Sequence, residues 1–147
     1  MTRIVDVSAD GVRVAVARRR VAALADRVLR AEGVRHAMIS IAFLSDREMS
    51  ALNWRHLRHR GPTDVISFGF AAGAKDGAVV GDVYIAPGQA RRNAAAHGRG
   101  VREETMRLVV HGVLHVLGYE HPVDDSRYGS AMWRRQERLL RSALAAA

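Results

Sequence analysis

Three histidines stand close together late in the chain: His111, His115 and His121. His111 and His115 are four residues apart, which on a helix puts both imidazoles on one face, one turn from each other. That spacing lets two ring nitrogens approach a single ion at ~2.0–2.1 Å. Gly118 can take the left-handed conformation that ends such a helix, and the chain can then turn to carry His121 back over the same face. Three neutral imidazoles with no thiolate suit Zn²⁺, although other first-row metals also bind such a set. One ion with three His ligands plus water is an open site, the arrangement of a catalytic zinc. Water in the fourth position ionises near pH ~7, and the metal can also polarise a phosphoryl or carbonyl oxygen.

A lone histidine on an apolar helix is more often a hydrogen-bonded core residue than a ligand. Three together change the balance, because burying them without a shared partner costs on the order of 1–3 kcal/mol each. A structural zinc closed by Glu120, Asp124 or Asp125 is the competing arrangement. In the metalloprotease pattern H-E-x-x-H, a glutamate beside the first histidine is the general base. Gly112 occupies that position and cannot take a proton, which argues against peptide hydrolysis.

The elements that must position these residues follow from hydropathy spacing. Residues 4–7 are expected as a first strand and 14–32 as a helix, with Val21, Leu24, Val28 and Leu29 on its apolar face and Gly33 as its stop. Residues 36–44 are apolar on both faces and are expected as a central strand covered on both sides. Ser45 with Glu48 three residues on is a capping box, opening a helix to about residue 56. Strands are expected over 64–70 and 79–86, separated by a mobile Gly/Ala-rich loop at 71–78. Helices are expected from Pro87 through 96, over 101–117 and over 124–143. Four strands with helices between and after them make an α+β (mixed α/β) domain.

The chain has 147 residues, the size of one domain. There is no cysteine, which excludes a disulfide scaffold, a thiolate-ligated metal and a cysteine nucleophile. With 23 basic and 15 acidic residues the net charge is +8, and Lys75 is the only lysine. Such a domain attracts polyanions. The start, Met1 to Asp6, lacks the apolar run of a signal peptide, and no 18-residue apolar run exists. The expectation is a soluble, cytoplasmic protein with no membrane partner.

The stretch His111-Gly112-Val113-Leu114-His115-Val116-Leu117-Gly118-Tyr119-Glu120-His121 resembles the H-G-x-L-H-L-x-G-Y-D-H signature of the YbeY family, bacterial endoribonucleases of ribosomal RNA maturation. Leu52-Asn53, the run from Pro62 to Phe68, and Gly81-Asp82-Val83 fall in the family's order and spacing. The resemblance implies one compact α+β domain over residues 1–147, zinc-hydrolase-like. It would have a four-stranded mixed sheet covered by about five helices. It implies a catalytic zinc on the three histidines and metal-dependent hydrolysis of single-stranded RNA. The expected role is maturation of the small-subunit rRNA 3′ end and ribosome quality control. The expected partners are rRNA and the small subunit with its assembly factors, not DNA. Two positions depart from the family: Glu120 replaces the usual Asp, and Leu57 stands where many members have an arginine four residues after the Asn.

Arg55, Arg58 and Arg60 neighbour Leu57, and Arg58 is the first choice for the phosphate contact, held bidentately by its guanidinium. Glu120 is expected to orient a ligand imidazole or move a proton, or else to be an exposed turn residue. Asp64 and Asp82 are read chiefly as carboxylates that bond backbone N–H groups, and Thr63 as a turn residue. Trp54, Tyr119 and Trp133 can stack on bases, but for the helical ones core packing is the better expectation. Arg18, Arg19, Arg20, Arg27 and Arg30 form a solvated face or an RNA-backbone track. Two rival functions stay open: a non-catalytic, zinc-stabilised ribosome assembly factor, and a metallo-hydrolase of another substrate such as a peptide.

Overall fold

The computed structural model describes residues 2–70 and 77–146. The expected loop at 71–78 therefore lies, for 71–76, outside the described residues. The elements run β1 (Thr2–Ser8), α1 (Arg18–Ala31), β2 (His36–Phe43), α2 (Asp46–Leu57), β3 (Val65–Phe70), β4 (Val79–Ile85), α3 (Pro87–His97), α4 (Val101–Val116) and α5 (Ala131–Ala145). A 3₁₀ turn, Asp125–Gly129, precedes α5. The strands form one sheet in the order β1-β2-β4-β3. The first three are parallel and β3 is antiparallel to β4, so the sheet is mixed. The fold is the expected single α+β domain.

Helix α4 is the centre of the molecule. It packs against α1, α3 and α5 and lies across β3 and β4, and every residue from Glu104 to Val110 is buried. The main core forms between α1, α4 and α5 and one sheet face, which supplies Ile39, Ile41, Phe43, Val83 and Ile85. Helix and sheet approach very closely. A side chain at Gly112 would put its Cβ 2.4 Å from Val83, and one at Gly81 would come 2.4 Å from Val116. The Ser67 hydroxyl donates to the Gly112 carbonyl at 3.0 Å across the same contact.

Three expectations need correction. Residues 14–17 are not helical; α1 starts at Arg18. No side chain caps the helix at Ala17, and Val12, Val14 and Val16 alternate inward onto the core as an extended strap. The last helix does not begin at 124. Asp124 caps the short 3₁₀ turn by accepting from the Ser126 N–H at 3.0 Å. Ser130 starts α5 afresh by accepting from the Trp133 N–H. Finally, β2 is covered on one face only. On the other face Ile4, Met38, Val80 and Phe70 are in register across all four strands, and Met38 is 57% exposed. Helix α2 covers only the far end of that face, where Met49 packs with Ile66 and Ala86. The capping box at Ser45 and Glu48 forms as expected.

Candidate metal centre

His111 and His115 project from the last two turns of α4, and Gly118 at φ +100° turns the chain out of the helix. The turn is braced from two sides. The Tyr119 hydroxyl donates to Glu32 at the end of α1, and Arg135 of α5 pairs with the same carboxylate at 2.6 Å. His121 then returns over α4. The three rings lie 4.6–5.0 Å apart between centroids, and one ligand atom from each lies within 4.8 Å of the others.

The hydrogen bonds decide which nitrogen faces inward. Nδ1 of His111 meets the Gln136 Oε1 at 2.6 Å, Nδ1 of His115 the Tyr119 carbonyl at 2.9 Å, and Nδ1 of His121 the Pro122 carbonyl at 2.7 Å. Each partner is an oxygen that can only accept, so each Nδ1 carries a proton, and in a neutral ring the lone pair then sits on Nε2. That is the tautomer that offers Nε2 to a metal, held in place by a partner behind every ring. The Gln136 amide is oriented in turn, since its Nε2 donates to Glu137 at 3.0 Å. Burial holds the pKa of His111 below the ordinary imidazole value, against the Gln136 bond. Burial, reinforced by the two neighbouring rings, pushes His115 down to about 4. Both are thus neutral ligands at pH 7. The donor set fits a divalent ion: three converging imidazoles, no thiolate, and no carboxylate in the cluster among the described residues.

The histidines open into a cavity of about 350 Å³. Its wall includes Thr63 and Asp64, delivered by the segment before β3. Buried Asn53 of α2 holds that segment, donating from Nδ2 to the Gly61 carbonyl at 2.9 Å. Asp64 accepts from the Asn93 side chain at 3.0 Å, and its charge acts on His111. This carboxylate bonds a side chain and faces the cavity, where the sequence reading had it bonding backbone. Asp82 lies on the opposite face of the sheet beside Tyr84, whose hydroxyl pKa it helps burial to raise.

Arg58 caps α2 in the left-handed conformation, with its guanidinium 5.7 Å from the Trp54 ring centroid. Arg60 flanks the same ring at 5.5 Å. Neither lines the histidine cavity among the described residues. Trp54 is 47% exposed, so the expectation of core packing fails there. It fails also for Trp133, the other helical ring, which lines the cavity and is not part of the core, whereas Tyr119 packs on the core. Glu120 is exposed and outside the cavity lining, although its charge reaches His115. Arg18, Arg19, Arg20, Arg27 and Arg30 are all exposed on α1.

Gln136 was not singled out from the sequence. Its signal is a polar residue on the apolar stripe of α5, in step with Met132, Leu139 and Leu140 and as buried as they are. Arg127 and Tyr128, which line the cavity from the 3₁₀ turn, carried no signal, because that turn read as the start of a longer helix.

The chain is similar to known proteins in sequence and in fold. Residues 7–143 match the family model described as Endoribonuclease YbeY. The chain is 37% identical over 122 residues to the Endoribonuclease YbeY of Pelotomaculum thermopropionicum, covering 79% of each. It is 36% identical over 97 residues to that of Aquifex aeolicus, covering 66% of this chain and 65% of the relative. Against that of Anaeromyxobacter dehalogenans it is 38% identical over 121 residues, covering 82% of this chain and 61% of the relative. Among solved structures, the solution structure of TM1509 from Thermotoga maritima shares the fold. Its TM-score is 0.64 at 20% identity, covering 97% of this chain and 91% of that one. The chain belongs to the Endoribonuclease YbeY family.

Proposed function

We propose that this protein is a zinc-dependent endoribonuclease that cuts unpaired RNA, acting on ribosomal RNA at the small-subunit 3′ end and in ribosome quality control. The observation that carries the reading is the convergence of three Nε2 lone pairs, each fixed by an acceptor on its Nδ1, at the wall of an open cavity. A divalent ion bound there supplies Lewis acidity towards a phosphoryl oxygen and lowers the pKa of a coordinated water. His111, His115 and His121 would hold it. The relatives named endoribonucleases supply the reaction class, and the charge of +8 suits a polyanionic substrate.

The chain's own residues divide the remaining work. Gln136 and the Tyr119 carbonyl keep two of the rings aimed. Leu108, Val65 and Met132 supply the apolar part of the cavity wall. Asp64, beside His111, is placed to accept a proton in the cavity. Glu120 supports His115 electrostatically from outside. Arg58 and Arg60, flanking exposed Trp54, hold RNA backbone beyond the cavity. The proposed setting is the cytoplasm, with the small ribosomal subunit as partner; no helix among the described residues is long and apolar enough to cross a membrane. Peptide hydrolysis is disfavoured by Gly112, since the contact with Val83 leaves no space for the glutamate a metallopeptidase places there.

The test is cleavage of a defined rRNA fragment with unpaired segments. Wild type is expected to cleave, to stop on chelation and to recover with Zn²⁺. His115→Ala is expected to bind less than one equivalent of metal and lose at least about 10³-fold in rate, the effect of several kcal/mol of transition-state stabilisation. Equal cleavage by wild type and His115→Ala overturns the reading.

A further inference from the structure

Three arginines line the histidine cavity, and their partners differ. Arg107 is ringed by Glu103, Glu104 and Glu137 at 2.8–3.0 Å. Arg99 lies 3.6 Å from Glu104. Arg127 makes no ion pair among the described residues, and the one side-chain hydrogen bond of its guanidinium goes to the Tyr128 hydroxyl at 2.9 Å. A guanidinium has five donors, so most of those on Arg127 remain to be used. Its backbone is pinned: the N–H donates to the Asp124 carbonyl at 3.1 Å, and its carbonyl accepts from both the N–H and the hydroxyl of Ser130. The cation is therefore presented by an anchored turn beside the histidines, near enough that its charge acts on His111.

The next residues supply ring surface. The Arg127 guanidinium lies 4.9 Å from the Tyr128 ring centroid, and Tyr128 meets Trp133 edge-to-face at 4.8 Å. Both aromatics line the cavity, and Tyr128 is 40% exposed. A free guanidinium next to partly exposed rings is the combination that takes one phosphate and one splayed base of a single strand. Duplex RNA does not offer that base, because its faces are stacked within the helix.

We propose that Arg127, Tyr128 and Trp133 form a nucleotide subsite flanking the metal centre, in which Arg127 grips a backbone phosphate and Tyr128, buttressed edge-to-face by Trp133, stacks the adjoining unpaired base. The inference rests on the ribonuclease reading above and gives that reading its preference for unpaired strand. It also places the cavity's phosphate contact on the 3₁₀ turn after His121, where Leu57 of α2 supplies none.

The experiment measures binding of a short, unpaired 2′-O-methyl oligoribonucleotide, which resists cleavage, to the metal-loaded protein, with cleavage of the unmodified strand alongside. Arg127→Gln is expected to weaken binding about 10–100-fold, as for a lost charge-assisted hydrogen bond, and to lower the salt slope by about one. Arg127→Lys recovers part of the loss, whereas Arg138→Gln, which removes the same charge from an exposed site on α5, changes binding less than about twofold. Tyr128→Ala is expected to weaken binding about 5–100-fold, and an abasic nucleotide in the stacked position is expected to weaken wild type but not Tyr128→Ala. Wild-type cleavage with unchanged binding by both Arg127→Gln and Tyr128→Ala overturns the subsite and leaves the ribonuclease reading standing. Failure of wild type to cleave unpaired RNA overturns that reading and the subsite with it.

Discussion

Helix α4 carries two polar clusters one turn apart, built on opposite rules. Around Arg107 three carboxylates converge on one guanidinium, and four of its N–H···O contacts are made within 3.0 Å. At His111 and His115, joined by His121, each ring spends one nitrogen on a protein acceptor and leaves the other for a ligand. The first cluster is closed, and in the second one nitrogen of each ring has no hydrogen-bond partner among the described residues. Burial of polar groups alone does not mark a site. Convergent unused lone pairs do. The clusters are also joined, since Oε2 of Glu137 accepts from both Arg107 and Gln136, and Gln136 accepts from His111.

If the Arg107 cluster is structural, removing its cation should break the fold rather than the chemistry. Arg107→Leu leaves three carboxylates together, two of them largely buried. It is expected to destabilise the protein by about 3–5 kcal/mol in urea unfolding, the cost of breaking a buried pair from one side. An unchanged midpoint would erase the distinction between the two clusters. Replacing all four charges with apolar residues of similar volume is expected to cost much less.

The link between the clusters gives the next effect. Gln136→Leu keeps the volume but removes the acceptor behind His111 Nδ1, freeing the ring to turn and lowering its basicity. Metal affinity, measured by competition with a chromogenic chelator, is expected to fall 10–100-fold. Unchanged affinity would mean that packing alone orients His111.

How much of this was legible beforehand depended on whether a feature is local. The i, i+4 histidines, the capping box at Ser45 and the glycine after α4 are short-range patterns, and the structure places them as read. The partners behind the rings come from α5 and from backbone carbonyls, which no spacing on α4 encodes. Residues 124–130 misled because their polar run fits an amphipathic helix, while Asp124 and Ser130 each cap a separate turn. The uncovered sheet face misled because apolar residues on both sides of β2 read as burial on both sides. Gly112 was read as a missing base. The structure adds that it is a packing requirement, so Gly112→Ala, driven against Val83, is expected to cost about 1–3 kcal/mol by thermal melting.

The smallest effect separates the clusters by pH. In the metal-free protein His115 is held at about 4 and His111 below its ordinary value, both chiefly by burial, whereas an unfolded histidine titrates near ~6.5. Between those values the unfolded chain takes up protons that the folded rings refuse, so the stability these rings contribute is complete above about pH 6.5 and declines as pH falls towards 4. Allowing for solvent screening of partly buried rings, the loss is about 1–2 kcal/mol. Glu137 titrates lower. Burial raises its carboxyl pKa, but the Arg107 hydrogen bonds and charge outweigh that and hold it below the usual glutamate value. Its contribution is therefore present above the unfolded glutamate pKa of ~4.3 and is lost only below it. Chemical unfolding of the chelated protein at several pH values is expected to show two declines, the upper of which flattens in His115→Gln while the lower persists. A single decline below pH 4.5 in both proteins would mean that the rings stay protonatable after folding, and the contrast between the two ends of α4 would fail.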